Sequence, residues 1–389
     1  MKPLAPDFYH YEWSPPKEVR IEDEFAVLEW SDGVQLRAHA WWLRENLVEE
    51  GGVDAVTREG TLDPALLHPE LHLSDLGVAE DGSVYCVWGP EGETGRFHPG
   101  WLRHVAEEKH GIRSSFPDPL AWEAEDMTEI PAMESREVCS EDSSLHEWMR
   151  ILLRSGVARL VGLPPKIGAL EDLVARIGPV RESNFGAFWS VRVEDEPTST
   201  AYGYRRLGPH TDLPTRELPP GYQFFHCLEN RCEGGLSLLT DGRALARYLR
   251  EEEPPVYKAL TELNWIFFNR SPDHDHRWSG PIIEPGRGSS SMTLRAFYPL
   301  RAFPDMDEEE IPVAYRAVRR FHQLACDDRF QIRHRMEEGE VLVLDNRRIL
   351  HGRDAFPSAG ARHFRGCYMD QDEVNSCFRV LERRGLGAR

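Results

Sequence analysis

The chain consists of short apolar runs separated by turn residues, and this pattern constrains its fold more than any other feature. Residues 25–43 form two alternating runs around Ser31, Asp32 and Gly33, which predicts a β-hairpin. A second hairpin is predicted over residues 83–89 and 97–103. Further strands are predicted over residues 157–163, 222–228, 259–268 and 340–345.

Few segments have the spacing of an amphipathic helix. Ser144 and Glu147 form a predicted capping box, and apolar residues then recur at helical spacing up to Gly156. Two more helices are predicted over residues 168–177 and 312–325. Because strands predominate and the helices are peripheral, the pattern favours a jelly roll, or double-stranded β-helix, with flanking helices over a βαβ sheet.

Two domains are predicted. Residues 104–141 are acidic and contain several prolines, which is typical of a connection. We therefore expect a small N-terminal β domain over residues 1–112 and the jelly-roll domain over residues 113–389.

Composition disfavours several classes of function. Lys and Arg number 46 against 66 Asp and Glu, a formal charge of −20, which repels nucleic acid and anionic membranes. No run approaches the roughly 18 apolar residues of a membrane span, and the N-terminus lacks the apolar core of a secretory signal. The seven cysteines are scattered and odd in number, unlike a disulfide scaffold. We expect a cytoplasmic protein that acts on a small molecule, with no nucleic-acid or membrane partner.

The pair His210 and Asp212 is the first indication of a metal site. Two residues apart on an extended backbone, their side chains point to the same side and can reach one ion. With 16 histidines and 66 acidic residues, chance alone predicts about three such pairs, and three occur, at His10, His68 and His210. The pair at His210 therefore needs support from elsewhere in the chain.

That support lies downstream, where an apolar strand over residues 341–344 runs into a loop that presents His351. A third ligand from this position completes a two-histidine, one-carboxylate set, which leaves coordination positions open for a bidentate ligand and oxygen. Arg362 follows eleven residues later, on the next predicted strand. Its planar guanidinium suits the distal carboxylate of a dicarboxylate cosubstrate.

These residues lie in segments that resemble a known family. HTDLPTRELPPGYQFFHC, GGLSLLTDG, DNRRILHGR and ARHFRGCYMDQDEV are similar to motifs of the γ-butyrobetaine hydroxylase branch of the iron(II)- and 2-oxoglutarate-dependent dioxygenases, a group that includes taurine dioxygenase. The resemblance implies that His210, Asp212 and His351 bind Fe(II) and form the catalytic centre. It also implies that Arg362 and Ser237 bind 2-oxoglutarate, and that O2 is the oxidant, with ascorbate as the reductant in assays.

The resemblance extends to the N-terminal domain through WSDGVQLRAHAWWLRENL, with one departure. Vertebrate-like members carry a zinc-binding cysteine cluster just after this motif. Residues 47–51 contain no cysteine here, so no structural zinc is expected.

The resemblance also implies a substrate class. Members that hydroxylate trimethylammonium compounds hold the cation in an aromatic cage through cation–π attraction. By motif position the cage residues are Phe185, Trp189, Tyr202 and Tyr368, where Phe185 replaces the usual Tyr.

The expected reaction is therefore hydroxylation of a small quaternary-ammonium compound. γ-Butyrobetaine, which gives carnitine, is the first choice, and a trimethylammonio-phosphonate is a close analogue. A taurine-type or amino-acid hydroxylase and a non-catalytic betaine-binding barrel remain alternatives. A homodimer is expected.

Overall fold

The computed structural model describes residues 2–48, 52–107, 116–192, 203–286, 292–296, 301–357 and 361–386. Residue contacts divide the chain into two compact units. One comprises Met1–Ser115 with Arg383–Arg389, and the other comprises Phe116–Glu382. The boundary predicted at residues 112 and 113 lies in the stretch 108–115, outside the described residues. Within the described residues no helix is both long and apolar enough to cross a bilayer.

The N-terminal unit contains two antiparallel three-stranded sheets. Its elements are β1 Glu18–Glu22, β2 Phe25–Glu29, β3 Gln35–His39, α1 Ala40–Glu45, a 3-10 turn Pro64–Leu66, β4 His72–Val78, β5 Val84–Gly89, β6 Glu93–Phe97 and α2 Pro99–Ala106. The sheet orders are β1-β2-β3 and β4-β5-β6. A core rich in tryptophan joins them, in which Trp88 donates a hydrogen bond to the carbonyl of Ala40 at 3.0 Å.

The hairpin predicted over residues 25–43 is confirmed by β2 and β3, but parts of two predicted strands of this unit are helical. The run after His39 becomes α1, and most of residues 97–103 belongs to α2. In both helices a histidine is the N-cap: the ring of His39 accepts from the N–H of Trp41, and that of His98 accepts from the N–H of Gly100. Pro99 at the first helical position is a start signal that the strand prediction overlooked.

The larger unit holds the remaining described strands and helices. Its strands are β7 Ala132–Glu134, β8 Val157–Val161, β9 Phe188–Arg192, β10 Leu207–His210, β11 Tyr222–Asn230, β12 Ser237–Asp241, β13 Asn264–Arg270, β14 Asp275–Gly280, β15 Ile283–Glu284, β16 Thr293–Leu294, β17 Arg301–Asp305, β18 Gln331–His334, β19 Val341–Asp345, β20 Ile349–Arg353 and β21 Arg362–Met369. Its helices are α3 Ser135–Ser140, α4 Asp142–Ser155, α5 Ala169–Val174, α6 Gly242–Glu252, α7 Pro254–Glu262, α8 Ile311–Ala325 and most of α9 Gln371–Leu386, whose residues from Arg383 belong to the N-terminal unit.

Two of its sheets form the jelly roll that the sequence predicts. The larger has the order β7-β8-β19-β11-β21-β9, and the smaller has the order β10-β20-β12-β18. One buried apolar cluster draws on both sheets, with Cys227, Leu342 and Phe364 from the first and Leu239 and Ile349 from the second. The two sheets therefore enclose a common interior.

Helices cover the outer faces. α4, α5 and α9 pack on the six-stranded sheet through Trp148, Leu170 and Phe378, among others. α6, α7 and α8 pack with β13 around Trp265 and Phe321. The predicted helix over 312–325 is confirmed, as is the strand after Glu340.

Three local predictions are wrong. The capping box of α4 does not form, because the helix begins at Asp142 and Glu147 pairs instead with Arg150 at 2.7 Å. Residues 259–262 were predicted to begin a strand, but they form the end of helix α7, and strand β13 begins only at Asn264. The apolar residues of α7 pack against the neighbouring helices, which keeps this segment helical. The predicted connection over 104–141 contains β7 and α3.

Candidate active site

A cavity opens inside the jelly roll. Its lining comes from strands of both sheets, β9, β11 and β21 on one side and β10, β12 and β20 on the other, with Asn269 of β13. Of the nine residues assigned to the site from sequence, eight line this cavity: His210, Asp212, His351, Arg362, Ser237, Phe185, Trp189 and Tyr368. Tyr202 lies outside the described residues.

Strand pairing brings the three metal-capable residues together. His210 is the last residue of β10 and is the antiparallel partner of His351 in β20, so the two rings lie 4.4 Å apart between centroids. Asp212 follows in a turn, so the expected extended backbone ends before it. Its Oδ1 lies 3.3 Å from Nε2 of His210 and 3.7 Å from Nε2 of His351. The three ligand atoms all lie within 4.8 Å of one another.

The protonation states of these side chains allow them to bind a metal cation. Nδ1 of His210 lies 2.9 Å from the carbonyl oxygen of Gly208, an arrangement that places the proton on Nδ1 and leaves Nε2 free to bind an ion. Burial lowers the pKa of His351 to about 3, so its imidazole is neutral near pH 7. Burial raises the pKa of Asp212, but the neighbouring histidines and the hydroxyl of Tyr368 outweigh it and bring the pKa below its usual range. Two imidazoles that can each present a nitrogen, together with a carboxylate, are a donor set for a divalent metal.

Three residues fix the position of Asp212: Tyr368, expected from sequence only as a cage residue, and Gln223 and Asn346, which the sequence analysis did not single out. Its Oδ2 accepts hydrogen bonds from the amide of Gln223 at 2.6 Å and from the hydroxyl of Tyr368 at 2.7 Å. Gln223 and Tyr368 are partners on β11 and β21, so the sheet register aims both donors at one oxygen. Asn346 accepts from the N–H of Asp212 at 2.7 Å and donates to its carbonyl at 3.0 Å. Oδ1 is thereby left to face the histidines.

Arg362 provides a half-buried cation on the same cavity. It begins β21, and its guanidinium lies 4.1 Å from the ring centroid of Phe364. Its Nε has no hydrogen-bond partner, and no carboxylate pairs with it within the described residues. Burial lowers the pKa of Arg362 to about 10, so it stays charged near pH 7. A half-buried cation with no carboxylate partner among the described residues is suited to binding an anionic ligand.

A second arginine lies near this cation and was missed from sequence. Arg353 lies two residues after His351, opposite Ser237 in the pairing of β12 with β20. Its guanidinium donates to the carbonyls of Gly203 at 2.6 Å and Arg205 at 3.0 Å. The motif HGR contains it, but only the strand register shows that it lines the cavity.

Aromatic side chains line another part of the cavity. Trp189 of β9 lies 5.3 Å from Phe225 and 5.5 Å from Tyr368, measured between ring centroids. Together with Leu213 these residues form one apolar cluster. Phe185 lines the cavity with a half-exposed ring. Phe225 was not among the expected cage residues.

Comparisons with known proteins agree with this geometry. The family model described as taurine catabolism dioxygenase TauD, TfdA family matches residues 117–368, which lie within the larger unit. A γ-butyrobetaine dioxygenase of Pseudomonas sp. (strain AK-1) is 38% identical over 358 residues, covering 91% of this chain and 93% of that protein.

Two human proteins are more distant relatives. The γ-butyrobetaine dioxygenase is 26% identical, covering 91% of this chain and 94% of that protein. The mitochondrial trimethyllysine dioxygenase is 25% identical, covering 98% and 92%. The chain belongs to the TauD/TfdA family of iron(II)- and 2-oxoglutarate-dependent dioxygenases.

Proposed function

We propose that this enzyme hydroxylates a small trimethylammonium compound, with γ-butyrobetaine, which gives carnitine, as the first candidate. A close analogue such as a trimethylammonio-phosphonate fits the same reasoning. The main observation in support of this proposal is that a two-histidine, one-carboxylate cluster and a group of aromatic rings line one cavity. The proposal is also supported by relatives whose names specify γ-butyrobetaine and trimethyllysine, both of which carry a trimethylammonium group.

In this proposal His210, Asp212 and His351 bind Fe(II). The donor set fits, because both imidazoles can present Nε2 and the carboxylate presents Oδ1 to the same point. Iron(II) together with 2-oxoglutarate and O2 supplies the oxidant for hydroxylation. Tyr368 and Gln223 hold the carboxylate through its other oxygen and so keep one orientation.

Arg362 and Ser237 would bind the distal carboxylate of 2-oxoglutarate. The guanidinium offers a forked pair of donors and lies against the ring of Phe364. A hydroxyl at Ser237, on the strand that pairs with β20, adds a further donor. Both side chains line the cavity that holds the metal-capable cluster.

Phe185, Trp189 and Tyr368 would surround the trimethylammonium group, and Tyr202 completes the proposed cage. A quaternary nitrogen has no N–H to donate, so aromatic faces can replace its weak hydration at little loss. Each well-placed ring contributes about 0.5–2 kcal/mol. The rings also orient the substrate carbon toward the metal, which is the protein's main contribution to the rate.

We also propose that the enzyme is cytoplasmic and forms a homodimer. All seven cysteines are free in the structure, which is consistent with a reducing compartment. Light scattering on the purified protein tests the dimer, and a monomer at micromolar concentration would refute it.

A matched pair of substrates tests the proposed function. γ-Butyrobetaine and 4-(dimethylamino)butyrate are compared by succinate formation with Fe(II), 2-oxoglutarate and ascorbate. We expect a higher specificity constant for the trimethyl compound, and about tenfold weaker binding of it in Trp189→Leu, with 2-oxoglutarate dependence unchanged. Equal constants for the pair in the wild-type enzyme would reject the cage. Turnover of taurine or an amino acid instead would assign the enzyme to that class, and no succinate with any substrate would favour a binding protein.

A further inference from the structure

The cavity-facing row of β21 contains one position without a side chain. Residues two apart on a strand share a face, and Arg362, Phe364 and Tyr368 all line the cavity. Gly366 occupies the remaining place in this row and is buried. It has no positive φ that would require glycine, so the backbone alone does not explain the residue.

The neighbouring strands show what uses this space. Gly366 is the register partner of Trp189 on β9 and of Phe225 on β11, which flank β21 on either side. Strands that flank a common neighbour lie roughly 9–10 Å apart. The rings of Trp189 and Phe225 nevertheless approach to 5.3 Å between centroids, so they meet above Gly366.

A side chain at this position would displace the indole. A Cβ placed on Gly366 would overlap Cη2, Cζ3 and Cζ2 of Trp189, the outer atoms of its six-membered ring. The indole is almost fully buried between Phe225 and Tyr368, so its retreat is blocked on the side of those rings. The ring would have to move into the cavity.

We propose that Gly366 is a specificity-determining residue, because it sets how far the Trp189 indole projects into the cation-binding part of the cavity. This inference rests on the proposed function, in which Trp189 forms part of the cage. Glycine lets the indole lie flat on the strand and leaves room for three methyl groups. Alanine would bring the indole inward and favour a smaller cationic head.

The test is a double-mutant cycle of Gly366→Ala and Trp189→Phe, because phenylalanine lacks the outer ring atoms that a Cβ would meet. KM values for γ-butyrobetaine, 4-(dimethylamino)butyrate and 2-oxoglutarate are measured by succinate formation, with thermal unfolding of each variant. Gly60→Ala is the matched control, since a Cβ there meets nothing within 4 Å.

We expect Gly366→Ala to raise KM for the trimethyl compound about tenfold, to raise it less for the dimethyl compound, and to change KM for 2-oxoglutarate less than about twofold. In the Trp189→Phe background the same substitution should change each KM less than about twofold. If Gly366→Ala does not fold but the double variant does, the result supports a contact between position 366 and the indole of Trp189. If neither variant folds, the proposal is overturned.

Two further results overturn the proposal: an unchanged trimethyl-to-dimethyl ratio of KM values in Gly366→Ala, or an equal effect of the substitution in both backgrounds. A wild-type enzyme that turns over neither compound would instead reject the proposed function. The unfolding temperatures of the four variants would then still decide whether Gly366 acts through Trp189.

Discussion

Replacing Tyr368 with Phe separates two roles that the structure gives to one side chain. The ring of Tyr368 packs beside Trp189 in the aromatic cluster, and its hydroxyl donates to Oδ2 of Asp212 at 2.7 Å. Phenylalanine keeps the ring and removes the donor. We therefore expect metal binding to weaken while the preference for a trimethylammonium group survives.

The magnitude follows from the donors that remain. A hydrogen bond to a charged group contributes about 1.5–3 kcal/mol, and loss of an outer partner of a metal ligand weakens metal binding about 10–100-fold. Gln223 still donates to the same oxygen at 2.6 Å in the variant, so Asp212 keeps one of its two side-chain donors. We expect an effect near the lower limit, about tenfold in the dissociation constant for the metal.

The assay is an anaerobic titration of the metal-free protein with Co(II) against a competing chelator, which needs no turnover. Tyr368→Leu is the comparison variant, because it loses both the donor and the ring and should also lose the trimethyl preference. Gln223→Leu should weaken metal binding as Tyr368→Phe does and leave the cage intact. Metal affinity within twofold of wild type in both Tyr368→Phe and Gln223→Leu would refute the idea that these donors orient Asp212.

Three further substitutions have defined outcomes. His351→Ala should abolish substrate-dependent succinate formation with an unchanged circular dichroism spectrum, and activity above about a tenth of wild type would point to a different third ligand. Arg362→Ala should raise the KM for 2-oxoglutarate by a factor equivalent to about 1.5–3 kcal/mol while the affinity for Co(II) is preserved, and Arg362→Lys should restore the KM only in part. An unchanged KM for 2-oxoglutarate would assign the role to another arginine. Burial raises the pKa of the Glu340 carboxyl, but the hydrogen bond from His334 and nearby charges outweigh burial and lower the pKa overall. The ionised carboxylate therefore stabilises the fold above the ordinary pKa of 4.5, and this stabilisation is lost as the pH falls through the lower pKa of the folded state. Glu340→Gln should therefore lower the unfolding temperature at pH 7, and a difference that persists unchanged at pH 3 would contradict this reasoning.

The sequence predicted the elements whose signal is local. Short apolar runs identified the strands at Tyr222 and Val341, and helical spacing identified α8. Helices α1 and α2 were predicted as strands for a physical reason: histidine rings cap both helices, and histidine is not among the residues usually preferred at that position.

The site was predictable only in part, because strand register, and not a local sequence motif, brings several of its residues together. His210 and Asp212 form a pair that chance would supply, and it is the pairing of His210 with His351 across β10 and β20 that makes it a site. Gln223 and Asn346 carry no chemical motif of their own. Their positions around Asp212 become visible only once β11 and the turn after β19 are placed.

Strand β21 carries residues of both proposed binding sites in the cavity. Arg362 and Tyr368 lie six residues apart on one face, which places their backbones roughly 20 Å apart along the strand. β21 is hydrogen-bonded on both sides, to β11 and to β9, so this spacing is fixed by the sheet rather than by loops. If Arg362 binds the cosubstrate carboxylate and the aromatic rings bind the cation, as proposed, the distance between these two sites cannot adapt to a longer substrate. We then expect a change of substrate length to require changes elsewhere in the cavity wall, and a change of head group to be made through Gly366 and Trp189.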